Sequence, residues 1–288
     1  MIVDAFTFYN EFDILEIRLK ELSRIVDRFV LVEADRTYRG AEKPMLFEEN
    51  RGRFSEYLSK IEYVPVHDMP TTSSDPWQLE SHQRRCISRG LDGIPDDALI
   101  MVSDVDEIPS RFALQEIVHS SNHEGRIYIF NQIMCYHYLN WRKPGKWYGT
   151  RAMTKKNLID PQLTRRLYPP QGFSSFERNR RKIRWYYRTI RYWKKLLTPI
   201  EVTGGWHFSY IGDAHFIRNK IRSFSHSEYD NEYFLGDGTI EERIASGRDI
   251  FGNNVEIIPL EKLPDTVSSE FERYQHLIDS GLGRGIYT

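Results

Sequence analysis

The stretch IVDAFTFYNEFDILEIRLKELSRIVDRFVLVEA, residues 2–34, decides the fold class of this chain. Two short runs in it, 2–8 and 28–34, have the near-continuous apolar character of strands buried in a parallel sheet. Between them, apolar residues at positions 14, 15, 19, 22, 25 and 26 recur with helical spacing, and Asp13 is placed to cap that helix. Strand, helix and strand in this order predict a βαβ unit and therefore an α/β fold.

Later segments repeat the pattern. The runs IEYVPV (61–66) and ALIMVS (98–103) read as buried strands, and WQLESHQRRCISRGL (77–91) reads as the helix between them. A β-rich stretch at 126–141 and a strand at GGWHFSYIG (204–212) extend the sheet. We therefore predict one domain over 1–288, with a central, mostly parallel sheet flanked by helices.

Composition and charge exclude several classes of protein. A chain of 288 residues can bury a large core, and its net charge of -1 gives no overall attraction to nucleic acid or to a membrane. Cys86 and Cys135 lack the spacing of a zinc site or a disulfide framework, which favours a reducing compartment. The N-terminus has an acid at position 4 and no basic segment, and the run ALIMV (98–102) is too short to span a bilayer. We expect a cytoplasmic protein.

Three carboxylates follow the strand that ends in ALIMVS, in the sequence DVDE (104–107). Asp104 and Asp106 are two residues apart at a strand exit, so their side chains can point to the same side and share one divalent cation. The alternative is that both only cap the turn before a helix that starts near Ser110. Ligands bind at the carboxyl edge of open α/β sheets, which favours the metal-binding interpretation.

Polar residues at two other strand exits are candidates for contacts with a nucleotide. Asn10 and Glu11 follow the first strand, and Glu33 and Asp35 end the second. In a βαβ unit these tips lie side by side, where an amide and carboxylates can bind a base or a ribose hydroxyl. The alternative for these residues is turn formation and helix capping.

Two cations are candidates for binding a diphosphate. Lys43 lies in the loop after the second strand, and Arg84 lies on the helix before the acidic cluster. We prefer Arg84 over Arg85, because neighbouring helical side chains point about 100° apart and only one of them faces the site.

Four separated blocks resemble glycosyltransferase family 17: YNEFDILEIRLKEL, LVEADRTYRGAEKP, SDVDEIPS and GGWHFSY. The resemblance covers most of residues 1–150 and resumes around 204–228. It implies an inverting, metal-dependent enzyme of GT-A-type fold that transfers N-acetylglucosamine from UDP-GlcNAc to a hydroxyl of a glycan or glycolipid. Asp104 and Asp106 match the family's DxD positions and would hold Mn2+ or Mg2+. Residues 1–110 would then be the nucleotide-binding half, and 111–288 the acceptor-binding half.

The block GGWHFS (204–209) and the helix after it hold the remaining candidates. His207 is a candidate third metal ligand, and the alternative is a packed, hydrogen-bonded histidine. An inverting transfer needs a base for the acceptor hydroxyl. Asp213, at a helix start, is the first candidate, although it can be a plain N-cap, and Glu228 is the second. Trp206 is a candidate for stacking on a sugar ring.

A basic, aromatic run, FERNRRKIRWYYRTIRYWKK (176–195), has no counterpart in the resemblance. It suits peripheral contact with an anionic membrane or a charged acceptor, or a solvated helix over the acceptor cleft. Two other functions stay open: a Mg2+-dependent phosphohydrolase or nucleotidyltransferase, and a non-catalytic adaptor that uses this run. The near-zero net charge argues against the adaptor, and we expect no nucleic-acid partner.

Overall fold

The structure is a computed structural model that describes residues 1–71, 75–120, 123–169 and 198–281. Nine strands in these ranges form one sheet: β1 (Ile2–Phe8), β2 (Arg28–Ala34), β3 (Ile61–Val66), β4 (Leu99–Asp104), β5 (Glu107–Pro109), β6 (Arg126–Tyr136), β7 (Trp141–Thr154), β8 (Thr198–Ser209) and β9 (Glu256–Ile257). Their order is β3-β2-β1-β4-β7-β6-β8-β5, and β9 pairs with β7.

The α-helices of the described ranges surround this sheet. They are α1 (Phe12–Leu22), α2 (Leu46–Asn50), α3 (Pro76–Arg85), α4 (Arg111–His119), α5 (Pro161–Arg165), α6 (Ala214–Ser223), α7 (Glu232–Leu235), α8 (Thr239–Ala245), α9 (Asp265–Ser269) and α10 (Phe271–Tyr274). A 3-10 helix, Cys86–Leu91, continues α3. None of the described helices is long and apolar enough to cross a membrane. The basic run at 176–195 lies outside the described residues.

The first half of the sheet is parallel. Strand β1 pairs in parallel with β2 and β4, and β2 pairs in parallel with β3. Alternate residues of β1 face two separate apolar clusters, one containing Ile2 and Phe6 and the other containing Val3 and Ala5. The sheet is therefore covered on both faces, and the expected α/β fold with a central sheet flanked by helices is confirmed.

One local prediction for this half is wrong. Helix α1 begins at Phe12, so Asp13 lies inside its first turn and is not the capping residue. The carboxylate of Asp13 accepts a hydrogen bond from Arg53 at 2.6 Å instead. The helix also ends at Leu22, earlier than its apolar pattern suggested, because Ile25 and Val26 lie in the turn that leads to β2.

The second half of the sheet brings the GGWHFS block beside the acidic cluster. Strand β8 pairs in antiparallel register with β5, which places His207 opposite Glu107. Gly205 has a φ of 106°, and a Cβ atom there would lie 2.4 Å from the carbonyl oxygen of Ile108. Only glycine allows this close approach, so Gly205 is required for the pairing that sets His207 next to the aspartates.

Candidate functional site

The carboxyl ends of β1, β2 and β4 meet helices α3 and α6 around two cavities. The larger has a volume of about 890 Å³ and the smaller about 40 Å³. Arg84, Asp104 and Asp106 line both cavities. The edge of the sheet at which the sequence predicts a ligand site is therefore hollow, and both aspartates face the hollow space.

Asp104 is neutralised by two arginines. Its Oδ1 accepts hydrogen bonds from Arg84 at 2.7 Å and from the Thr7 hydroxyl at 3.1 Å, and its Oδ2 accepts one from Arg165 at 3.3 Å. Burial alone would raise the pKa of Asp104, but Arg84 and Arg165 hold this pKa well below its usual range. Asp104 is thus an ionised carboxylate with protein cations on both of its oxygens.

Asp106 has a different environment. Its Oδ2 accepts a hydrogen bond from Lys220 at 2.9 Å, and its Oδ1 lies 3.4 Å from Nε2 of His207. Burial would raise the pKa of Asp106, but Lys220 and His207 keep it well below the usual value. The same ammonium of Lys220 also lies 2.9 Å from the carboxylate of Glu11. Two buried carboxylates share one lysine, which leaves a surplus of negative charge beside His207.

Glu107 faces away from this pair and supports it. Its Oε2 accepts a hydrogen bond from the backbone nitrogen of Asp104 at 3.1 Å. Its Oε1 accepts bonds from Arg165 at 2.7 Å and from the indole nitrogen of Trp147 at 3.1 Å. Glu107 is fully buried, and it fixes both the backbone of the first aspartate and the arginine that binds that aspartate.

The turn that carries both aspartates is held by Arg18 of α1. Its Nε and Nη2 donate to the two carboxylate oxygens of Asp4, at 2.7 and 2.6 Å. Its Nη1 donates to the backbone carbonyls of Asp104, Val105 and Glu107, at 2.9, 3.0 and 3.0 Å. Both members of the ion pair are fully buried. The position of the acidic turn is therefore set by one guanidinium group beneath it.

Glu11 and Lys43 line the smaller cavity, as do Arg84 and Asp104, so four of the residues predicted to contact the donor nucleotide lie there. Lys43 lies 3.3 Å from Glu33 and 5.4 Å from the ring centre of Tyr9. Burial lowers the pKa of Lys43, and the charge of Glu33 opposes this shift. Glu11 and Lys43, together with Arg84, surround the end of β1 with charged groups.

The other three predicted nucleotide contacts do not line either of these two cavities. Glu33 is fully buried and accepts hydrogen bonds from the backbone nitrogen of Phe47 and from the Tyr63 hydroxyl, so its oxygens are used within the protein. Asp35 lies 3.2 Å from His67. The side-chain oxygen of Asn10 is buried without a hydrogen-bond partner. Contact of these residues with a nucleotide stays a prediction.

The end of α6 closes the smaller cavity. The Tyr9 hydroxyl lies 3.0 Å from the hydroxyl of Ser223, and the backbone nitrogen of Tyr38 donates to the carbonyl of Ser223 at 3.2 Å. The rings of Tyr38 and Phe224 meet edge to face at 5.6 Å. A volume of 40 Å³ has room for about three water molecules. Tyr38 and Phe224 therefore form part of the wall of the smaller cavity.

The predicted bases, Asp213 and Glu228, lie at opposite ends of α6. Asp213 caps that helix, with its Oδ1 accepting from the backbone nitrogen of Phe216 at 2.8 Å, and it does not line either cavity. Glu228 lies 2.7 Å from Nδ1 of His226, and His226 lines the larger cavity. The carboxylate of Glu228 therefore reaches the cavity wall through an imidazole. The assignment of Asp213 or Glu228 as the base stays a prediction.

The larger cavity has an aromatic wall. Trp147 packs against His207 with a ring separation of 4.7 Å. Trp206, the predicted sugar-stacking residue, instead packs in the core on Phe208, with its indole nitrogen bonded to the carbonyl of Lys262. The aromatic residues of the wall are Trp77, Tyr136, Trp147, Tyr148, Tyr168, Tyr210, Phe224, Tyr229 and Phe251. Such a wall suits the apolar faces of sugar rings.

Asp106 and His207 suit a divalent cation. Their facing oxygen and nitrogen atoms are 3.4 Å apart on the cavity wall, next to uncompensated negative charge. Asp104 is not gathered with them into a compact set. Within the part of the chain that the structure describes, the group of three potential ligands whose donor atoms lie within 4.8 Å of one another is Asp68, His82 and Cys86.

Sequence reasoning missed Lys220, Arg165, Trp147 and Arg18. Lys220 lies three residues after buried Ile217 on α6, so helical periodicity puts both on the buried face of the helix. A lysine at a buried position needs an acidic partner. Arg18 is likewise a charged residue at a buried position of α1, four residues from both Ile14 and Leu22. A basic residue at an apolar position of a helix is the signal that would have found both. No local pattern marked Arg165 or Trp147.

The family model described as glycosyltransferase family 17 matches residues 1–151, just over half of the chain. The chain belongs to glycosyltransferase family 17. The match includes the blocks YNEFDILEIRLKEL, LVEADRTYRGAEKP and SDVDEIPS. It ends before the GGWHFSY block, so the family-like role of 204–228 stays a prediction.

Curated relatives of this family 17 chain are known in mammals. The beta-1,4-mannosyl-glycoprotein 4-beta-N-acetylglucosaminyltransferases of Rattus norvegicus and Homo sapiens are each 33% identical over 120 residues, which cover 38% of this chain and 22% of each relative. The chain therefore matches about a fifth of the length of these relatives. Among solved structures, the inositol-1-phosphate CTP transferase from T. maritima is similar with a TM-score of 0.37 and 12% identity, covering 80% of this chain and 96% of that one.

Proposed function

We propose that the chain transfers N-acetylglucosamine from UDP-GlcNAc to a hydroxyl of a glycan, with inversion, in the presence of Mn2+ or Mg2+. The observation that carries the proposal is the divided acidic motif: Asp104 is paired with arginines, while Asp106 faces His207 across 3.4 Å in a large cavity. Membership of the family and the names of the curated relatives support the donor and the reaction.

Asp106 and His207 are the residues that would hold the cation, which when bound neutralises the charge that builds up on the leaving diphosphate. Lys220 would stay between Asp106 and Glu11 and keep the Asp106 carboxylate ionised. Burial lowers the pKa of Lys220, but the charges of Asp106 and Glu11 raise it by more, so its net pKa lies above the usual value. Lys220 therefore remains an ammonium at neutral pH.

Arg84 and Arg165 would orient the diphosphate from the other side. The Arg84 side chain is 5% exposed and the Arg165 side chain is 12% exposed, both bond to Asp104, and both line the larger cavity. Guanidinium groups present their N–H donors in a planar fork that matches phosphate oxygens. Because Asp104 already holds them, they need no rearrangement when the donor binds, which is the arrangement that favours stabilisation of developing charge.

We assign the acceptor base to the pair of His226 and Glu228. The imidazole lines the cavity, and Glu228 at 2.7 Å orients it through Nδ1, so the opposite nitrogen, Nε2, can take the proton of an acceptor hydroxyl. Trp77 meets the same ring edge-on at 4.7 Å and Tyr229 stacks on it. The base, once protonated, releases its proton to solvent after the sugar has moved.

A direct assay tests the proposed reaction. The full chain is incubated with UDP-GlcNAc and a panel of glycans, and the release of UDP is followed with Mn2+, with Mg2+ and with a chelator. We expect UDP release that a glycan stimulates, that chelation abolishes and that added Mn2+ restores, and NMR of the product should give the β anomer. Release of inorganic phosphate without glycosyl transfer would instead support the phosphohydrolase, and no release from any UDP-sugar would refute the transferase.

The base assignment predicts a loss in turnover rather than in donor binding. The variant His226→Gln should lower kcat by roughly 10²-fold or more, the range expected for a general base, with little change in the KM for the donor. Glu228→Gln should have a smaller effect in the same direction. The exposed histidine His215 on α6 supplies the control, His215→Gln. A larger kcat loss in Asp213→Asn than in His226→Gln would move the base to Asp213.

The membrane contact expected through 176–195 and the cytoplasmic location stay predictions. The charged acceptor that this run could favour is part of the same expectation.

A further inference from the structure

A second cluster of metal-ligating side chains lies apart from the acidic motif. Asp68, His82 and Cys86 place one ligand atom each within 4.8 Å of the others. His82 and Cys86 are four residues apart on the helical segment formed by α3 and its 3-10 continuation, and Asp68 follows β3 by two residues. The helical spacing of four puts the imidazole and the thiol on the same face of the segment.

The imidazole of His82 has an unused ligand atom beside Asp68. Nε2 of His82 is buried and has no hydrogen-bond partner, and it lies 3.7 Å from Oδ1 of Asp68. Around a tetrahedral Zn2+, bond lengths of 2.0 to 2.3 Å put neighbouring ligand atoms roughly 3.3–3.6 Å apart. The cluster is therefore within small side-chain movements of a tetrahedral arrangement.

We propose that Asp68, His82 and Cys86 form a binding site for a zinc-class divalent ion, with a solvent molecule in the fourth position. A thiolate with an imidazole selects Zn2+ or Co2+ rather than Mg2+ or Mn2+, which prefer oxygen ligands. The site thus differs in chemistry from the one at Asp106 and His207. As the sulfur–metal bond forms, the thiol of Cys86 loses its proton to solvent.

Arg89 competes with the metal. Its guanidinium binds Asp68 through both carboxylate oxygens, at 2.8 and 2.6 Å. Arg89 and Asp68 are 44% and 58% exposed, and exposed ion pairs of this kind contribute little to stability. The ion can therefore displace Arg89, and removing Arg89 should strengthen metal binding.

A bound ion would fix the helix that carries Arg84. Residues 82 and 86 are each two positions from residue 84, so they point about 200° away from it around the helix. Arg84 faces Asp104, whereas His82 and Cys86 face the loop after β3. The ion would join that loop to α3 on the side opposite the acidic motif, and its expected effect is a rise in thermal stability.

Titration of the full chain with Co2+ alone tests the proposal, because a cobalt–thiolate bond gives a charge-transfer absorption in the near ultraviolet that oxygen and nitrogen ligands do not give. We expect this absorption at a 1:1 ratio, its displacement by Zn2+, its loss in Cys86→Ser and a several-fold weaker affinity in His82→Asn. Cys135→Ala, which removes the other buried thiol, should keep the absorption. Arg89→Gln should bind Co2+ a few-fold more tightly than the unmodified chain.

Absence of the band in folded protein, or its persistence in Cys86→Ser, would overturn the zinc-class site. Unchanged or weaker affinity in Arg89→Gln would overturn the proposed competition for Asp68. The readout is absorption and needs no turnover, so failure here is independent of the outcome of the transferase assay.

Discussion

Replacing Arg18 by leucine is expected to lower the free energy of unfolding by about 3–5 kcal/mol, the usual result of removing one partner from a buried ion pair. The variant leaves Asp4 as an uncompensated charge, and it leaves the carbonyls of Asp104, Val105 and Glu107 without their shared donor. Urea unfolding followed by circular dichroism measures the loss. Since domains are stable by only about 5–15 kcal/mol, this change removes a large share of the total.

Two further variants separate the ion pair from the support of the acidic turn. Arg24→Leu on the exposed end of the same segment is the matched control and should change stability by less than about 0.5 kcal/mol. The double variant Asp4→Leu/Arg18→Met removes the unpaired charge, so it should recover part of the stability. It cannot restore the hydrogen bonds to the backbone carbonyls of the acidic turn, so the turnover of UDP-GlcNAc should stay low. A stability loss below about 1 kcal/mol in Arg18→Leu would contradict the role given to this network.

The parallel half of the fold was predictable from the sequence because its central strands, β1, β2 and β4, are almost entirely buried. The run 28–34 needs no alternation, and its bounds match the structure. The bounds of 61–66 match too, although this strand lies at the end of the sheet and exposes Glu62 and Pro65. Helix bounds were less certain, since Asp13 has the chemistry of an N-cap but α1 already begins at Phe12. There the packing of the Phe12 ring against Phe8 and Phe54 outweighs a local capping preference.

The candidate site was predictable only where its residues adjoin a strand exit. Asp104 ends β4 and Asp106 follows it, and His207 lies in the GGWHFS block, which the sheet pairs with β5. Lys220 and Arg165 come from helices far along the chain, and only the tertiary fold brings them to the aspartates. The sequence alone left open whether the two aspartates share a divalent cation or only cap the turn that follows the strand. The structure supplies arginines for Asp104 and a shared lysine for Asp106.

Replacing Asp106 by asparagine is expected to lower kcat/KM for UDP-GlcNAc by roughly 10³-fold, the size of effect seen when an electrostatic contact to developing charge is lost. Asparagine keeps the shape of the side chain but removes the charge that, with His207, would hold the cation. Asp104→Asn should act differently, because Arg84 and Arg165 each lose one of their two carboxylate partners and keep only Glu80 and Glu107, respectively. That variant should mainly lose stability and donor affinity. Transfer assays over a range of Mn2+ concentrations measure both effects.

The dependence on Mn2+ distinguishes the two aspartates. In Asp106→Glu, the concentration of Mn2+ that gives half-maximal turnover should rise by roughly tenfold or more, whereas in Asp104→Asn it should stay near the value of the unmodified chain. Asp97→Asn, an exposed acid before β4, is the control that should change neither quantity. Undiminished transfer in Asp106→Asn would refute the metal assignment. Suppose instead that the unmodified chain is fully active with a chelator and that Lys220→Met is inactive. The cationic role at Asp106 would then belong to Lys220, whose ammonium lies 2.9 Å from that carboxylate.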